Sequence, residues 1–324
     1  MNNNFLNFLA HQTKDKKNSI AVLPFFDNAV GQPDRALFYG IPFLVYDIYS
    51  ASHDNMIHPF VSFNFINNEN MTGQILAQKE TAQKLAQKLS ASYVVFGTYQ
   101  RTYRGTIRVI INIYDSKKDQ MLSPAEELDA NADDAFIDLV KNHLAIALKR
   151  AGVTSTINKT YISSPSMQAF VLFGKGLEFS MQYDLTALDL ASLWFENALK
   201  ESYQRYDNAA LHLARVNFMM ALINKLNKDD FSINWRSATA AMGLVSPATK
   251  RSSIKYLAAG RFLESYKLAM KAETASMTGN TKMTGTLAYE ALKLVPEDGL
   301  LQNLYLTTAA KRDGEIMINN PICF

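Results

Sequence analysis

Short apolar runs separated by turn-forming residues dominate the first part of the chain. The run at 19–26, Ser-Ile-Ala-Val-Leu-Pro-Phe-Phe, predicts a buried strand that stops near Pro24. Residues 36–49 are apolar on most sides and predict a buried helix, in which Pro42 requires a late start or a kink. The stretch Ile57–Ile66, rich in Phe, Val and Ile, predicts a second strand.

Two clear periodicities follow in the next part of the chain. At 75–90 the apolar residues return every three or four positions, which predicts an amphipathic helix whose buried face holds Ala82, Leu85, Ala86 and Leu89. Residues 93–100 predict a strand, and Ile107, Val109, Ile111 and Ile113 recur with the period of two that is typical of a half-buried strand.

The end of this first part predicts a short strand and a last helix. Residues 120–122 predict the short strand, after which Asp133 or Asp134 can cap a helix that runs to about Arg150. Alternating elements followed by hairpins predict an α/β domain with a mixed sheet and flanking helices.

Strand signals vanish from residue 164 onward, and only helical periodicity remains. The predicted helices cover residues 166–182, 185–202, 207–225, 233–244, 252–276, 282–293 and 298–311. Short breaks between successive helices are typical of an all-α helical repeat. We therefore predict a flexible tail at 1–18, an α/β domain at 19–153 and a helical repeat domain at 164–324, with a Gly-, Ser- and Thr-containing linker between the two domains.

Two stretches of the α/β part resemble a known bacterial domain. Ile20–Phe25, then Asn28, then Tyr39–Ile41, resemble the opening of the TolB-amino-terminal-like domain. Tyr93–Tyr99 followed by Arg108–Asp115 resemble its later strand and hairpin. In many bacterial regulatory and scaffold proteins such a domain precedes tetratricopeptide repeats, so the resemblance implies the same arrangement here.

The helical part is similar to tetratricopeptide repeats, in which small residues let paired helices approach closely and an aromatic side chain fills the gap. The residues that carry this similarity are Phe173, Gly176, Phe179, Ala191, Phe195, Ala198, Ala288, Ala291 and Pro296. The spacing from Gly176 to Ala191 is longer than in the family, and Tyr203 stands where the first repeat has a proline. The resemblance implies protein–protein interaction through the groove of the repeats.

Composition and charge restrict the partners. The 33 basic and 30 acidic residues are mixed along the chain and leave a net charge of +3, without the basic stripe typical of nucleic-acid binding. No run approaches the roughly 20 apolar residues of a membrane span. The single cysteine, Cys323, excludes a disulfide within the chain and fits a reducing compartment. We therefore expect a cytoplasmic protein, or a periplasmic one if the true start lies upstream.

Motifs of catalysis are missing from the sequence. The five histidines include no His-Glu-x-x-His pattern, and no P-loop or Gly-x-Ser-x-Gly motif occurs. His53, Asp54 and His58 form the nearest approach to a metal cluster, which we interpret as a solvated or capped turn. Gly174 and Gly176 lie in a helical pattern, where close helix packing explains them better than a dinucleotide motif. We predict no catalytic residue, no metal site and no cofactor.

The sequence thus favours a non-catalytic adaptor or scaffold that binds a protein partner through its repeats and that could form a homo-oligomer. One alternative is a sensing protein that holds a small molecule at the carboxyl ends of its strands, near Asp27, Asn28 and Thr98. Another is an accessory protein of the cell envelope.

Overall fold

The structure, a computed structural model, describes residues 19–28, 35–50, 56–102, 106–122, 125–131, 135–152, 165–203, 205–247, 254–295 and 298–312. The predicted tail at 1–18, the linker at 153–164, the caps Asp133 and Asp134, and Pro296 lie outside these residues. The described residues up to Lys175 form one compact unit, and those from Gly176 onward form a second.

The first unit contains a six-stranded mixed sheet with helices packed on it, as predicted for an α/β domain. Its strands are β1 (Ile20–Val22), β2 (Phe26–Asp27), β3 (Tyr93–Arg101), β4 (Thr106–Asp115), β5 (Gln120–Met121) and β6 (Glu126–Asn131). Its helices are α1 (Arg35–Ser50), α2 (Pro59–Asn68), α3 (Lys79–Leu89) and α4 (Ala135–Arg150), with a 3₁₀ turn at Gly73–Ala77.

Strand β3 organises the sheet. Both β1 and β2 pair with it in parallel, β1 against Tyr93–Val95 and β2 against Thr98–Tyr99. Pro24 lies between them and has no N–H to donate to the ladder, which explains why one run of sequence forms two short strands. On the other side β3 pairs antiparallel with β4, which in turn pairs with β5 and β6. The carboxyl ends of β2 and β3 therefore lie side by side at one end of the sheet.

The two periodicities of the sequence are confirmed as buried faces. Ile107, Val109, Ile111 and Ile113 of β4 are at most 2% exposed. The predicted helix at 75–90 is divided into the 3₁₀ turn and α3, and the buried residues of α3 include all four apolar positions that its spacing indicated.

The prediction of a strand at Ile57–Ile66 was wrong, because this stretch forms α2. Pro59 stands in the first turn of the helix, where its missing N–H costs nothing. His58 is the N-cap, and its Nδ1 accepts a hydrogen bond from the Phe60 N–H at 3.3 Å. The helix is buried on several sides, so its apolar residues show no helical period that could distinguish it from a buried strand.

Helix α5 (Met167–Ser180) begins in the first unit and packs closely on α1. A Cβ at Gly174 would lie 2.1 Å from the carbonyl oxygen of Ala36, and the ring of Phe170 covers Gly40. This is the close helix packing that the sequence predicts for Gly174.

The second unit is helical throughout its described residues, as the periodicity predicts. Its helices are the end of α5, α6 (Leu185–Glu201), α7 (Asp207–Asn227), α8 (Ser232–Leu244), α9 (Ile254–Met277), α10 (Thr281–Leu294) and α11 (Gly299–Arg312). The pairs α6–α7, α7–α8, α9–α10 and α10–α11 pack along the chain, and α9 also packs on α7. Contact between a helix and the second helix before it is typical of stacked hairpins.

We expect the first unit to lose stability in alkali because of Tyr114. Its side chain is 2% exposed, and its hydroxyl donates to Asp119 Oδ1 at 2.9 Å. Burial, the hydrogen bond to Asp119 and the charges of Asp119 and Asp115 raise the pKa of Tyr114 to about 12. An unfolded chain releases this proton near its ordinary pKa of about 10. The stabilising contribution is therefore complete below about pH 10 and is lost as the pH rises to about 12.

Urea denaturation on either side of this window measures the effect. The variant Tyr114→Phe should show a smaller loss of unfolding free energy in alkali than the unmodified protein. Tyr203→Phe, at a tyrosine that is 88% exposed, is the matched control. An equal response of the two variants would exclude Tyr114 as the source.

Candidate ligand cavity and helical groove

A cavity of about 210 Å³ opens in the first unit at the carboxyl ends of the parallel strands. We call it the strand-end cavity. Residues from β2, β3, α1, α2 and the 3₁₀ turn line it: Pro24, Phe26, Asp27, Arg35, Phe38, Tyr39, Phe63, Ile66, Asn67, Met71, Thr72, Gly73, Leu76 and Tyr99. Ligands of open α/β sheets bind at this end of the strands.

Aromatic rings form much of the cavity wall. The rings of Tyr39 and Phe63 meet edge to face, with centroids 5.2 Å apart. The Phe38 ring lies 4.9 Å from that of Tyr39 and stacks over that of Phe63 at 6.3 Å. Phe38 and Tyr39 are half-buried, whereas Phe63 is 3% exposed. Rings that pack on each other are held in place, so the wall is preformed.

The strand-end cavity is lined by opposite charges that differ in exposure. Asp27, at the end of β2, is 8% exposed and is the one carboxylate among the described lining residues. Arg35 begins α1 at the exposed mouth, where its Nη2 donates to the Tyr39 hydroxyl at 3.3 Å. Asn67 and Thr72 are also exposed at the mouth. The lining therefore combines one buried carboxylate with an exposed cation and two exposed polar side chains.

Of the three residues that the sequence suggested for ligand binding, one lines the strand-end cavity. Asp27 lines it, but Asn28 and Thr98 are not among its lining residues. Asn28 is exposed and its N–H donates to the Tyr99 carbonyl at 2.8 Å, while Thr98 pairs with Phe26 in the sheet. Phe63 and Asn67 were not predicted at this edge, because the apolar pattern of α2 indicated a strand and not a helix that lines the cavity.

In the second unit a groove of about 340 Å³ runs between α6 and α8, with α7 beneath it. We call it the helical groove. Its lining residues are Glu196, Leu199 and Lys200 of α6, Leu213 and Asn217 of α7, and Ser237, Ala240, Ala241 and Leu244 of α8. The side chain of Asn217 is fixed by its own helix, since its Nδ2 donates to the Leu213 carbonyl one turn earlier at 3.0 Å.

Most residues of the repeat-like pattern are packing residues. Ala191, Phe195 and Ala198 are completely buried, as are Ala288 and Ala291. A Cβ at Gly176 would lie 2.5 Å from the Phe195 ring, which is the small-to-aromatic contact that the resemblance implies. Two residues differ: Phe179 is half-buried, and Phe173 packs inside the first unit, with its ring 6.3 Å from that of Phe43.

A buried polar cluster joins distant parts of the second unit, and we call it the Asp298 cluster. Asp298, Arg215 and Tyr266 are at most 3% exposed. Asp298 Oδ2 accepts from Arg215 Nη2 at 3.2 Å and from the Tyr266 hydroxyl at 3.0 Å. Asp298 Oδ1 accepts from two backbone N–H groups at the start of α11, at 3.0 and 3.2 Å. The Tyr183 hydroxyl accepts from the Gly299 N–H at 3.3 Å.

Burial of the Asp298 cluster raises the pKa values of its two tyrosines. Burial, with the charge of Asp298, raises the pKa of Tyr266 well above its ordinary value, so its hydroxyl stays protonated and donates. Burial likewise raises the pKa of Tyr183. Each member thus has a structural task, and no member lines the strand-end cavity or the helical groove.

The paired carboxylates of the sequence take part in ion pairs and caps. Glu126 and Glu127 lie on β6. Glu126 pairs with Arg150 and His143, and Glu127 pairs with Arg108. Asp230 accepts from the Ser232 N–H at the start of α8 at 2.8 Å. Within the described ranges, no group of three or more His, Cys, Asp or Glu side chains could hold a metal ion.

Comparison with known proteins adds no family to these observations. No family model matches the chain, and no curated protein matches it significantly. None of the helices described here has the length and apolarity that crossing a membrane requires.

Proposed function

We propose that this protein is a non-catalytic adaptor or scaffold whose helical unit binds a partner protein. The observation that carries the proposal is the helical groove, an open channel lined by residues of α6, α7 and α8. The tetratricopeptide-like pattern of small and aromatic residues supports the same function. A cytoplasmic location belongs to this proposal and rests on the single cysteine.

The side chains along the helical groove suit an amphipathic helix of the partner. Ser237, Ala240 and Ala241 are small and leave room for close approach. Leu193 is 49% exposed and lies one turn before Glu196 on the same face of α6, and Leu244 is 43% exposed at the end of α8. An apolar partner stripe would cover these leucines, while Glu196 and Lys200 would pair with charges at its edges.

Filling the helical groove should abolish partner binding without unfolding the protein. Ala240 is exposed and lines the groove, so Ala240→Trp places a large ring inside it. We expect at least a tenfold loss of the partner in affinity purification followed by mass spectrometry.

Thr239→Trp is the matched control, because Thr239 is exposed on the same helix and does not line the groove. It should retain the partner. The proposal fails if the unmodified protein captures nothing above background, or if Ala240→Trp captures the partner as well as Thr239→Trp does.

A second function, ligand sensing by the first unit, is favoured by the strand-end cavity. The observation that favours it is Asp27, which is buried at the carboxyl end of β2 and lines the cavity together with several aromatic rings. Most small-molecule sites combine an apolar wall with a few placed polar groups in this way. A thermal-shift screen in which no small molecule stabilises the first unit would exclude this function.

A further inference from the structure

We propose that the helical groove selects a partner helix that carries a hydrogen-bond donor in the middle of its apolar face, set against the side-chain oxygen of Asn217. The donor belongs to a serine, threonine, asparagine or glutamine of the partner. The inference rests on the proposed function, partner binding by the second unit, and it adds the chemistry that distinguishes one partner helix from another.

Asn217 is a polar side chain in the floor of the helical groove. It is 4% exposed and comes from α7, as does Leu213, which is 7% exposed. The lining residues that α6 and α8 contribute include four apolar ones, Leu199, Ala240, Ala241 and Leu244. A partner helix that fills the groove with an apolar face therefore also covers this asparagine.

The amide of Asn217 uses its nitrogen and leaves its oxygen available. Its Nδ2 donates to the Leu213 carbonyl at 3.0 Å and to Ser192 Oγ at 3.4 Å. Because a carbonyl can only accept, the contact with Leu213 fixes which end of the amide is the nitrogen. No group of the described residues donates to Asn217 Oδ1. The floor of the groove thus offers one unused acceptor.

An apolar side chain placed over this acceptor weakens binding. In an open groove water can donate to Asn217 Oδ1, and a helix that lies in the groove displaces that water. The amide oxygen then loses its bond to solvent, and an aliphatic side chain gives nothing in return. A donor at the matching position of the partner restores the bond, so Asn217 discriminates against purely aliphatic helices.

Charges on α6 define the edge of the same partner helix. Glu196 and Lys200 line the groove one turn apart, and both are exposed. Neither forms an ion pair with another residue that the structure describes. A complementary helix therefore carries a basic side chain opposite Glu196 and an acidic one opposite Lys200, one turn apart beside its apolar face.

A displayed library of helical peptides tests the donor directly. Each peptide has the length of α6, 17 residues. Its apolar face samples leucine, isoleucine, valine, alanine, serine, threonine, asparagine and glutamine, and its edges sample glutamate and lysine. Selection on the full chain should enrich peptides in which one donor stands among aliphatic residues. Replacing that donor with an apolar residue of similar shape should weaken binding about tenfold in isothermal titration.

Variants connect this preference to Asn217. Asn217→Leu removes the acceptor, so it should bind the donor-free peptide at least as tightly as the donor-bearing one. Asn303→Leu is the matched control, since Asn303 is half-buried on α11 and does not line the groove. Ser237→Ala removes the other uncharged polar side chain of the lining. Both of these variants should keep the preference for a donor. If Asn217→Leu does not fold, the same two peptides measured on the unmodified protein and on Ser237→Ala decide the question.

The outcomes separate the inference from the proposed function. If the unmodified protein enriches all-aliphatic peptides and Ala240→Trp abolishes their binding, the groove binds a helix and the selection by Asn217 is wrong. A donor preference that Asn217→Leu retains also overturns the inference. If no peptide is enriched, or if Ala240→Trp binds the enriched peptides normally, helix binding by the groove fails, and the proposed function loses the observation that carries it.

Discussion

Replacing Asp298 with alanine should lower the free energy of unfolding of the helical unit by about 3–5 kcal/mol, the usual cost of removing one partner of a buried ion pair. Asp298 is fully buried, and its carboxylate receives four hydrogen bonds. The variant leaves the Arg215 cation, 3% exposed, without its carboxylate partner. It also removes the cap of α11. Urea denaturation followed by circular dichroism measures the loss.

Asp184→Ala is the matched control for the capping part of this effect. Asp184 is the N-cap of α6, and its Oδ1 accepts from the Ala187 N–H at 2.9 Å. A cap of this kind contributes about 1 kcal/mol. If the two alanine variants lose the same stability, the ion pair contributes nothing beyond the cap. A paired variant, Arg215→Met with Asp298→Asn, should recover part of the loss, because no uncompensated charge then stays buried.

Gly174→Ala should destabilise the first unit by at least about 2 kcal/mol, toward the upper part of the range for overpacked sites. The added Cβ would lie 2.1 Å from the carbonyl oxygen of Ala36 and 2.9 Å from its Cα. Because both atoms belong to the backbone of α1, no side-chain rotation can relieve the contact. Helices α1 and α5 must therefore separate. This separation also disrupts the packing of Phe170 against Gly40.

Gly285→Ala is the matched control for the change in helix propensity. Gly285 lies inside α10, and a Cβ there would meet nothing within 4 Å. Alanine is favoured over glycine in a helix interior by about 1 kcal/mol, so this variant should be more stable than the parent protein. Opposite signs for the two substitutions are the expected result in thermal denaturation. A stabilised Gly174→Ala protein would contradict the close approach of α1 and α5.

The elements with strong periodicity could be predicted, whereas those buried on several sides could not. The period of two in β4 and the single apolar face of α3 correspond to one buried side, and both were found as expected. Helix α2 has apolar residues on several faces, so its pattern fits a buried strand equally well. The local signal that distinguishes them is Pro59 after His58, which is typical of a helix start and argues against the interior of a strand.

The candidate ligand site was predicted only in part, for the same reason. The position of Asp27 at the end of a strand follows from the local pattern around Pro24. The rings that line the same cavity come from α1 and α2, and residues of the 3₁₀ turn line it as well. Their approach depends on how the helices pack on the sheet, which no local pattern of residues describes.

By itself, the sequence determined what depends on neighbours along the chain: an α/β part with a mixed sheet, a later part made of helices, the buried faces of regular elements, and the need for small residues at Gly174 and Gly176. Only the tertiary structure decided which distant residues meet. Arg215 and Asp298 are 83 positions apart, and Asp27 lines the same cavity as rings that α1 and α2 supply from later in the chain. Local periodicity arises from contacts within one element, whereas a cavity or a buried ion pair arises where several elements close around the same point.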